Sequence, residues 1–125
     1  MKRVVVIGLG IFGSQLARQL YESGLDVIAV DKNKDVVQKI KDYSTKAVVA
    51  DASEKEVLES IGVAADDVVV ISFGEDLSAS TLLTLHLKEL KVKDIIVEVP
   101  GEDYKRILLK VGASDAIIPE REMAN

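Results

Sequence analysis

Val4-Val5-Val6-Ile7-Gly8-Leu9-Gly10-Ile11-Phe12-Gly13, followed by an acid at Asp31, is the stretch that decides how this chain folds. An apolar β-branched run leads into a Gly-x-Gly-x-x-Gly turn. A helical pattern follows, and the acid arrives roughly 20 residues later at the end of a second apolar run. The glycine spacing alone is weakly specific. Strand before, helix after and acid at that distance together make a nucleotide-binding βαβ fingerprint. Gly8 permits the tight turn off the strand, Gly10 removes the Cβ that would block a pyrophosphate, and Gly13 lets the helix pack closely on the sheet. The helix then directs its free N–H groups and positive dipole end at the anion. The competing reading is that the glycines only turn a βα loop.

Outward from that unit, apolar runs alternate with helical patterns, and no low-complexity segment or linker interrupts them. Strands are expected at Val4–Gly8, Val27–Val30, Ala47–Ala50, Val68–Ser72, Ile95–Val99 and Ala116–Ile118. Helices are expected over Phe12–Ser23, closed by Gly24, over Lys34–Tyr43, from Ser53 to Ser60, over about Leu77–Leu90 and over Glu102–Val111. Ser53 and Glu56 stand at capping-box spacing, and Gly62 allows that helix to end. Val68-Val69-Val70-Ile71 is the most apolar run, as a parallel strand buried on both faces requires, and it is expected beside the first strand. The alternation implies right-handed βαβ crossovers and an α/β fold, a Rossmann-type doubly wound parallel six-stranded sheet in the order 3-2-1-4-5-6. A ligand would then lie across the carboxyl ends of strands one and four, where the order reverses.

At 125 residues the chain is long enough for one full core and too short for a cofactor domain joined to a catalytic one, so a single domain over residues 1–125 is expected. A net charge of -5, with no Lys/Arg-rich run, argues against general nucleic-acid binding, which needs a basic surface to displace counterions. The absence of cysteine excludes disulfides and thiolate metal sites. Met1-Lys2-Arg3 followed by Val4 to Gly10 superficially resembles a leader, yet its apolar run is short and broken by glycines. No segment approaches the roughly 18 apolar residues that span a bilayer. The chain reads as soluble and cytoplasmic, without direct membrane insertion.

Asp31 is placed to accept hydrogen bonds from both hydroxyls of an adenosine ribose, and its charge would repel a 2′-phosphate. It therefore favours NAD-type or plain adenosine ligands over NADP, with Lys32 alongside softening the discrimination. An acid there can also cap the next helix, and the two roles can coexist. Asp51, Ala52 and Ser53 end the third strand, where an adenine would lie, and base-edge contacts are favoured there. A turn and helix cap account for Asp51 and Ser53 equally well. Ser72-Phe73-Gly74-Glu75-Asp76 forms the far wall of the same crevice, with Gly74 giving backbone access and Glu75 and Asp76 read as solvated loop acids. His86, the only histidine, shares a helix face with Leu82, Leu83, Leu87 and Leu90 and reads as a packed or interface residue rather than a catalytic one.

Two other classes fit less well. A phosphoacceptor receiver domain has a similar size and an aspartate where Asp51 sits. It also needs an acidic pair after strand one and a lysine ending strand five, and this chain has Gly8-Leu9-Gly10 and Glu98-Val99-Pro100 there. The cofactor-binding fragment of an NAD-dependent dehydrogenase remains the alternative. Nearly all of this chain builds the nucleotide fold, leaving no segment to bind a second substrate or present a proton donor.

Taken together, the chain resembles the TrkA-N family, also called the KTN or RCK N-terminal domain, of potassium transport and channel proteins. The resemblance rests on Val6-Ile7-Gly8-Leu9-Gly10-Ile11-Phe12-Gly13, Val30-Asp31, Val49-Ala50-Asp51-Ala52-Ser53, Ser80-Thr81-Leu82-Leu83, and Val111-Gly112-Ala113 leading to Ile118-Pro119-Glu120. It implies a cytoplasmic, non-enzymatic regulatory subunit, peripheral to the membrane through its partner. Such a subunit forms a homodimer or higher ring and gates a membrane potassium channel or transporter. Carried over by residue, Gly8, Gly10 and Gly13 would face the phosphates, Asp31 the ribose, Asp51 and Ala52 the adenine, and Phe73 and Gly74 the opposite wall. With Ile11, Phe12, Lys32 and Ser53 these make the expected cofactor-binding set.

Two departures from the family pattern bear on ligand choice. ATP-responsive members often carry arginine at the position of Ile11, and the family commonly has lysine or arginine near Glu98. Losing both cations and gaining a carboxylate should weaken a triphosphate more than a less charged ligand, so NAD(H), AMP or ADP is expected over ATP. Glu120 lies where some relatives place an acid that helps hold a divalent cation between subunits, although a surface acid at a helix start reads as well. The family usually continues past the equivalent of Met123 into a crossover helix and often a second ligand-binding domain, so a truncated or naturally minimal subunit is expected.

Overall fold

The continuous Val/Ile runs form parallel strands in the computed structural model, which describes residues 2–119. In chain order the elements are β1 (Arg3–Ile7), α1 (Ile11–Glu22), β2 (Asp26–Asp31), α2 (Lys34–Ile40), β3 (Lys46–Val49), α3 (Lys55–Ile61), β4 (Val68–Ile71), α4 (Leu77–Glu89), β5 (Asp94–Glu98), α5 (Glu102–Val111) and β6 (Asp115–Ile117). One sheet of six strands takes the order β3-β2-β1-β4-β5-β6, as expected for a Rossmann-type doubly wound fold. Every neighbouring pair is parallel. Val4 lies opposite Val27 on one side and Val68 on the other, so β1 and β4 flank the point where the order reverses.

Alternate side chains of each strand supply two separate cores, which is why the strands read as unbroken apolar runs. Val5, Ile7, Ile28, Val30, Val69, Ile71, Ile95 and Val97 pack with Leu58 and Ile61 of α3, Leu83 and Leu87 of α4, and Leu108 of α5. Val4, Val6, Val27, Ala29 and Val70 face the other way, against Ala17 of α1 and Val37 and Ile40 of α2. At the amino-terminal edge of the sheet, Arg3 donates to both carboxylate oxygens of Asp67, at 3.1 and 2.7 Å, and to the carbonyl of Gly62 at 2.6 Å.

Several strand ends sit one residue earlier than the apolar runs imply. Gly8, Ala50, Ser72 and Val99 each donate one last hydrogen bond to the neighbouring strand, to Val30, Asp31, Ile7 and Ile117 carbonyls, and then turn away. The helix expected to reach Tyr43 stops at Ile40 and tightens into a 3₁₀ turn over Lys41–Tyr43. The expected capping box at Ser53 and Glu56 does not form. The N-cap of α3 is Glu54, one residue later: the Ser53 N–H and hydroxyl both donate to Asp51 Oδ1, at 3.1 and 2.6 Å, in a turn that precedes the helix. Asn33, not Asp31, caps α2, accepting from the Asp35 N–H at 2.8 Å.

Two glycines are fixed by steric contact. Gly8 has φ +99°, and a Cβ on it would run into the Ser72 carbonyl; a Cβ on Gly13 would run into the carbonyl of Gly8. Gly24 has φ +94° with open space around it, so only backbone conformation favours glycine there. Gly13→Ala should therefore cost about 2–4 kcal/mol through overpacking. Gly24→Ala should cost about 1–2 kcal/mol through left-handed strain alone. Urea unfolding of the two variants checks the ranking, and a larger loss at Gly24 would contradict the packing account.

Candidate functional site

The crevice lies at the carboxyl ends of β1 through β5. Gly8 turns the chain off β1, and Gly10 forms the N-cap of α1 with no side-chain hydrogen bond to the helix and no acid in the first turn. The first N–H groups of this helix lack intrahelical acceptors and carry its positive dipole end. Gly10 is exposed, and a Cβ built on it meets nothing within 4 Å. The loop thus leaves open the space that a pyrophosphate needs for close approach to backbone N–H groups. Gly8 and Gly13 are buried and act through the shape of the loop. Ile11, 83% exposed, stands at its rim.

Asp31 is held by the loop it faces. Its Oδ2 accepts from the Leu9 N–H at 2.7 Å and its Oδ1 from the Asn33 N–H at 2.8 Å. Each carboxylate oxygen has a second acceptor site, so both can still receive a ribose hydroxyl. The orientation is set before any ligand arrives.

Beside a cleft between α1 and α2 that Gly10, Arg18 and Lys39 help to line, two clefts open at the carboxyl ends of the strands. The first, of 370 Å³, is lined by Asp31, Lys32, Asp51, Ala52, Ser53 and Phe73, together with Ile7, Val30, Ala50, Asp76, Ser78, Ala79 and Leu82. It sets the Asp31 carboxylate at one side of a mixed polar and apolar slot between β3 and α4. The second, of 360 Å³, gathers Ile11, Phe12 and Gly74 with Gln15, Glu75, Glu98, Val99, Pro100 and Pro119.

Some lining residues escaped the sequence reading. Ser78, Ala79 and Leu82 belong to the first turns of α4, and their signal was the position of that helix directly after the switch-point strand. Asp76, expected as a solvated loop acid, is the N-cap of α4 and accepts from the Ala79 N–H at 3.0 Å. Gln15 reaches the second cleft from one helical turn beyond Ile11. His86 lines neither cleft. It is half-buried on α4, and its Nδ1 has no hydrogen-bond partner among the described residues.

Among the described residues no group of three potential ligands could hold a metal ion, and Glu120 lies outside them. None of their helices is long and apolar enough to cross a membrane.

The family model of the TrkA-N domain matches residues 4–119. The chain belongs to the TrkA-N domain family. The TrkA-N match is supported by two Bacillus subtilis proteins, Ktr system potassium uptake protein C, 38% identical, and protein A, 39% identical. Each alignment covers 98% of this chain but only 56% and 55% of the relative, so the chain spans about half their length. Its fold matches the TrkA-N domain of inner membrane protein ybaL from Escherichia coli, with a TM-score of 0.84 at 17% identity, over 98% of this chain and 91% of that one. It also matches the GsuK channel bound to NAD, TM-score 0.75 at 21% identity, over 94% of this chain and 21% of that one. GsuK bound to ADP gives 0.76 at 19%, over 94% and 31%.

Within the candidate site of this TrkA-N domain, Asp51 titrates below its ordinary value. The Ser53 hydroxyl is the main cause, followed by the Ser53 N–H and then the positive charge of Lys32, with slight burial opposing them. Because the native value lies below that of the unfolded chain, the contribution of Asp51 to stability is present above the unfolded value. It is lost as pH falls through the native one. Ser53→Ala should raise the native value toward the ordinary one and shrink this acid-range dependence. Carbon-13 titration of the Asp51 carboxyl reads the change, and an unaltered titration would rule out the hydroxyl as its cause.

Proposed function

We propose that this TrkA-N chain is a non-enzymatic regulatory domain that binds an adenine nucleotide and, through it, controls a membrane potassium channel or transporter. The observation that carries the reading is the open backbone at Gly10 beside a pre-oriented Asp31, with a cleft on either side. The Ktr relatives are potassium uptake proteins, and GsuK has been solved with NAD and with ADP, which supports the same ligand class and partner type here. The proposed contacts are Gly8, Gly10 and Gly13 shaping the phosphate loop with Ile11 and Phe12 at its rim. Asp31 and Lys32 serve the ribose, Asp51, Ala52 and Ser53 the adenine, and Phe73 and Gly74 the opposing wall.

NAD(H), AMP or ADP is preferred to ATP and NADP in this reading. Asp31 repels a 2′-phosphate, and the described residues lining the second cleft bring two carboxylates and no cation to a third phosphate. The dehydrogenase alternative finds less support, because the relatives matched over nearly the whole chain are potassium uptake proteins. Regulation requires the nucleotide to bind one assembly conformation better than another. Leu82 and Leu85 on α4 and Tyr104 and Ile107 on α5 are exposed large apolar side chains that suit a homodimer or ring. The domain would work at the cytoplasmic face of the membrane, held there by its partner, within a longer subunit or as a minimal one.

Calorimetric titration of the nucleotide-free chain with NAD, NADH, NADPH, AMP, ADP and ATP tests the reading. NADH should bind and NADPH should not compete with it. Asp31→Ala should weaken NADH about tenfold, the equivalent of one or two ribose hydrogen bonds. Absence of binding by every ligand would overturn the function, and tighter binding of ATP than of NAD(H), AMP and ADP would overturn the preference.

A further inference from the structure

The second cleft carries a fixed negative charge that the packing of the fold does not require. Glu98 ends β5, and its Oε1 accepts from the Ser72 hydroxyl at 2.6 Å. Ser72 is itself buried and immobilised: its N–H donates to the Ile7 carbonyl at 2.8 Å, and its own carbonyl closes against Gly8 under the phosphate loop. One oxygen of Glu98 is thereby anchored, while Oε2 has no hydrogen-bond partner among the described residues. Glu75 lines the same cleft, and the lining described holds no lysine, arginine or histidine.

A dinucleotide with its adenosine in the first cleft and its pyrophosphate over Gly10 must send its second nucleotide here. If that nucleotide carries nicotinamide, the cleft meets a ring whose charge depends on its redox state. The oxidised ring is a pyridinium cation, and the reduced dihydropyridine is neutral. A carboxylate held in place loses no side-chain entropy on meeting the cation, and the partly enclosed cleft screens the attraction less than bulk water does. We infer that Glu98, positioned by Ser72, is a specificity-determining residue that makes this chain bind NAD+ more tightly than NADH. This rests on the nucleotide-binding reading above and adds to it a choice between two ligands of the same shape.

A carboxylate several ångströms from the ring, at an effective dielectric between that of a protein surface and water, gives a preference of about tenfold. Titration of the chain with NAD+, NADH and AMP, and of its Glu98→Gln and Ser72→Ala variants, tests this after thermal melting has shown each variant folded. NAD+ should bind about tenfold tighter than NADH to the parent chain. Glu98→Gln should bring the ratio close to one by weakening NAD+, and Ser72→Ala should give an intermediate ratio because the carboxylate is present but no longer anchored. A purely structural Glu98 would instead change both affinities by the same factor, which would overturn the inference. Equal affinities in the parent chain would overturn it also, and AMP binding in that case would leave the nucleotide-binding function standing. Failure of all three ligands to bind would remove the function and the inference together. Tighter binding of magnesium-ATP than of NAD+ would assign the two acids to a divalent cation instead.

Discussion

Gly13 rests on the carbonyl of Gly8, and Gly8 rests in turn on the carbonyl of Ser72. This stack of α1 on the loop and the loop on β4 sets how near the helix end comes to the sheet, and the candidate site depends on that height. A side chain at either glycine would lift α1 and redirect its unpaired N–H groups away from the crevice. The same contact places Ser72 beneath the loop, where its hydroxyl reaches Glu98. One steric constraint therefore positions the anion-attracting end of the helix and the carboxylate beyond it. Asp31 adds the polar tie, joining the end of β2 to the loop through the Leu9 N–H.

The fold was legible because its strongest signals are local. Val4 to Ile7 and Val68 to Ile71 are apolar at every position, a pattern that suits a strand covered on both faces, and the helices between them force parallel pairing. The site was legible where one residue's chemistry is sufficient, as at Gly10 and Asp31. It was less so where a spacing allows more than one local arrangement. Ser53 and Glu56 have the spacing of a capping box, but Ser53 is drawn into a turn with Asp51 two residues before it, and the helix begins one residue later. Contacts set by tertiary packing left little trace. Ser72 and Glu98 meet across neighbouring strands, and nothing in either segment alone announces the pair.

The crevice joins the two layers of the molecule. α1 and α2 cover one face of the sheet, and α3, α4 and α5 cover the other. A nucleotide over Gly10 would touch the first layer at the loop leading into α1 and the second at Ala79 and Leu82 of α4. Leu82 is also among the exposed apolar side chains of α4, so the ligand wall and the outer surface share a residue. The cleft wall and the exposed apolar surface of α4 are thus continuous at this residue.

The strand order also governs how the crevice comes into being. β1 meets β2 after a single helix, and β4 meets β5 in the same way, but pairing Val4 with Val68 closes about half the chain into a loop. Loop-closure entropy makes this central seam the costly contact in assembling the sheet. Asp31, Asp51 and Gly10 belong to one half-sheet, whereas Phe73, Ala79 and Glu98 belong to the other. Neither half holds a complete cleft, so binding competence arises only when the two dock. A ligand lying across the seam, as proposed, would act as a clasp between them, so occupancy would slow the separation of the half-sheets and lengthen the lifetime of the folded chain.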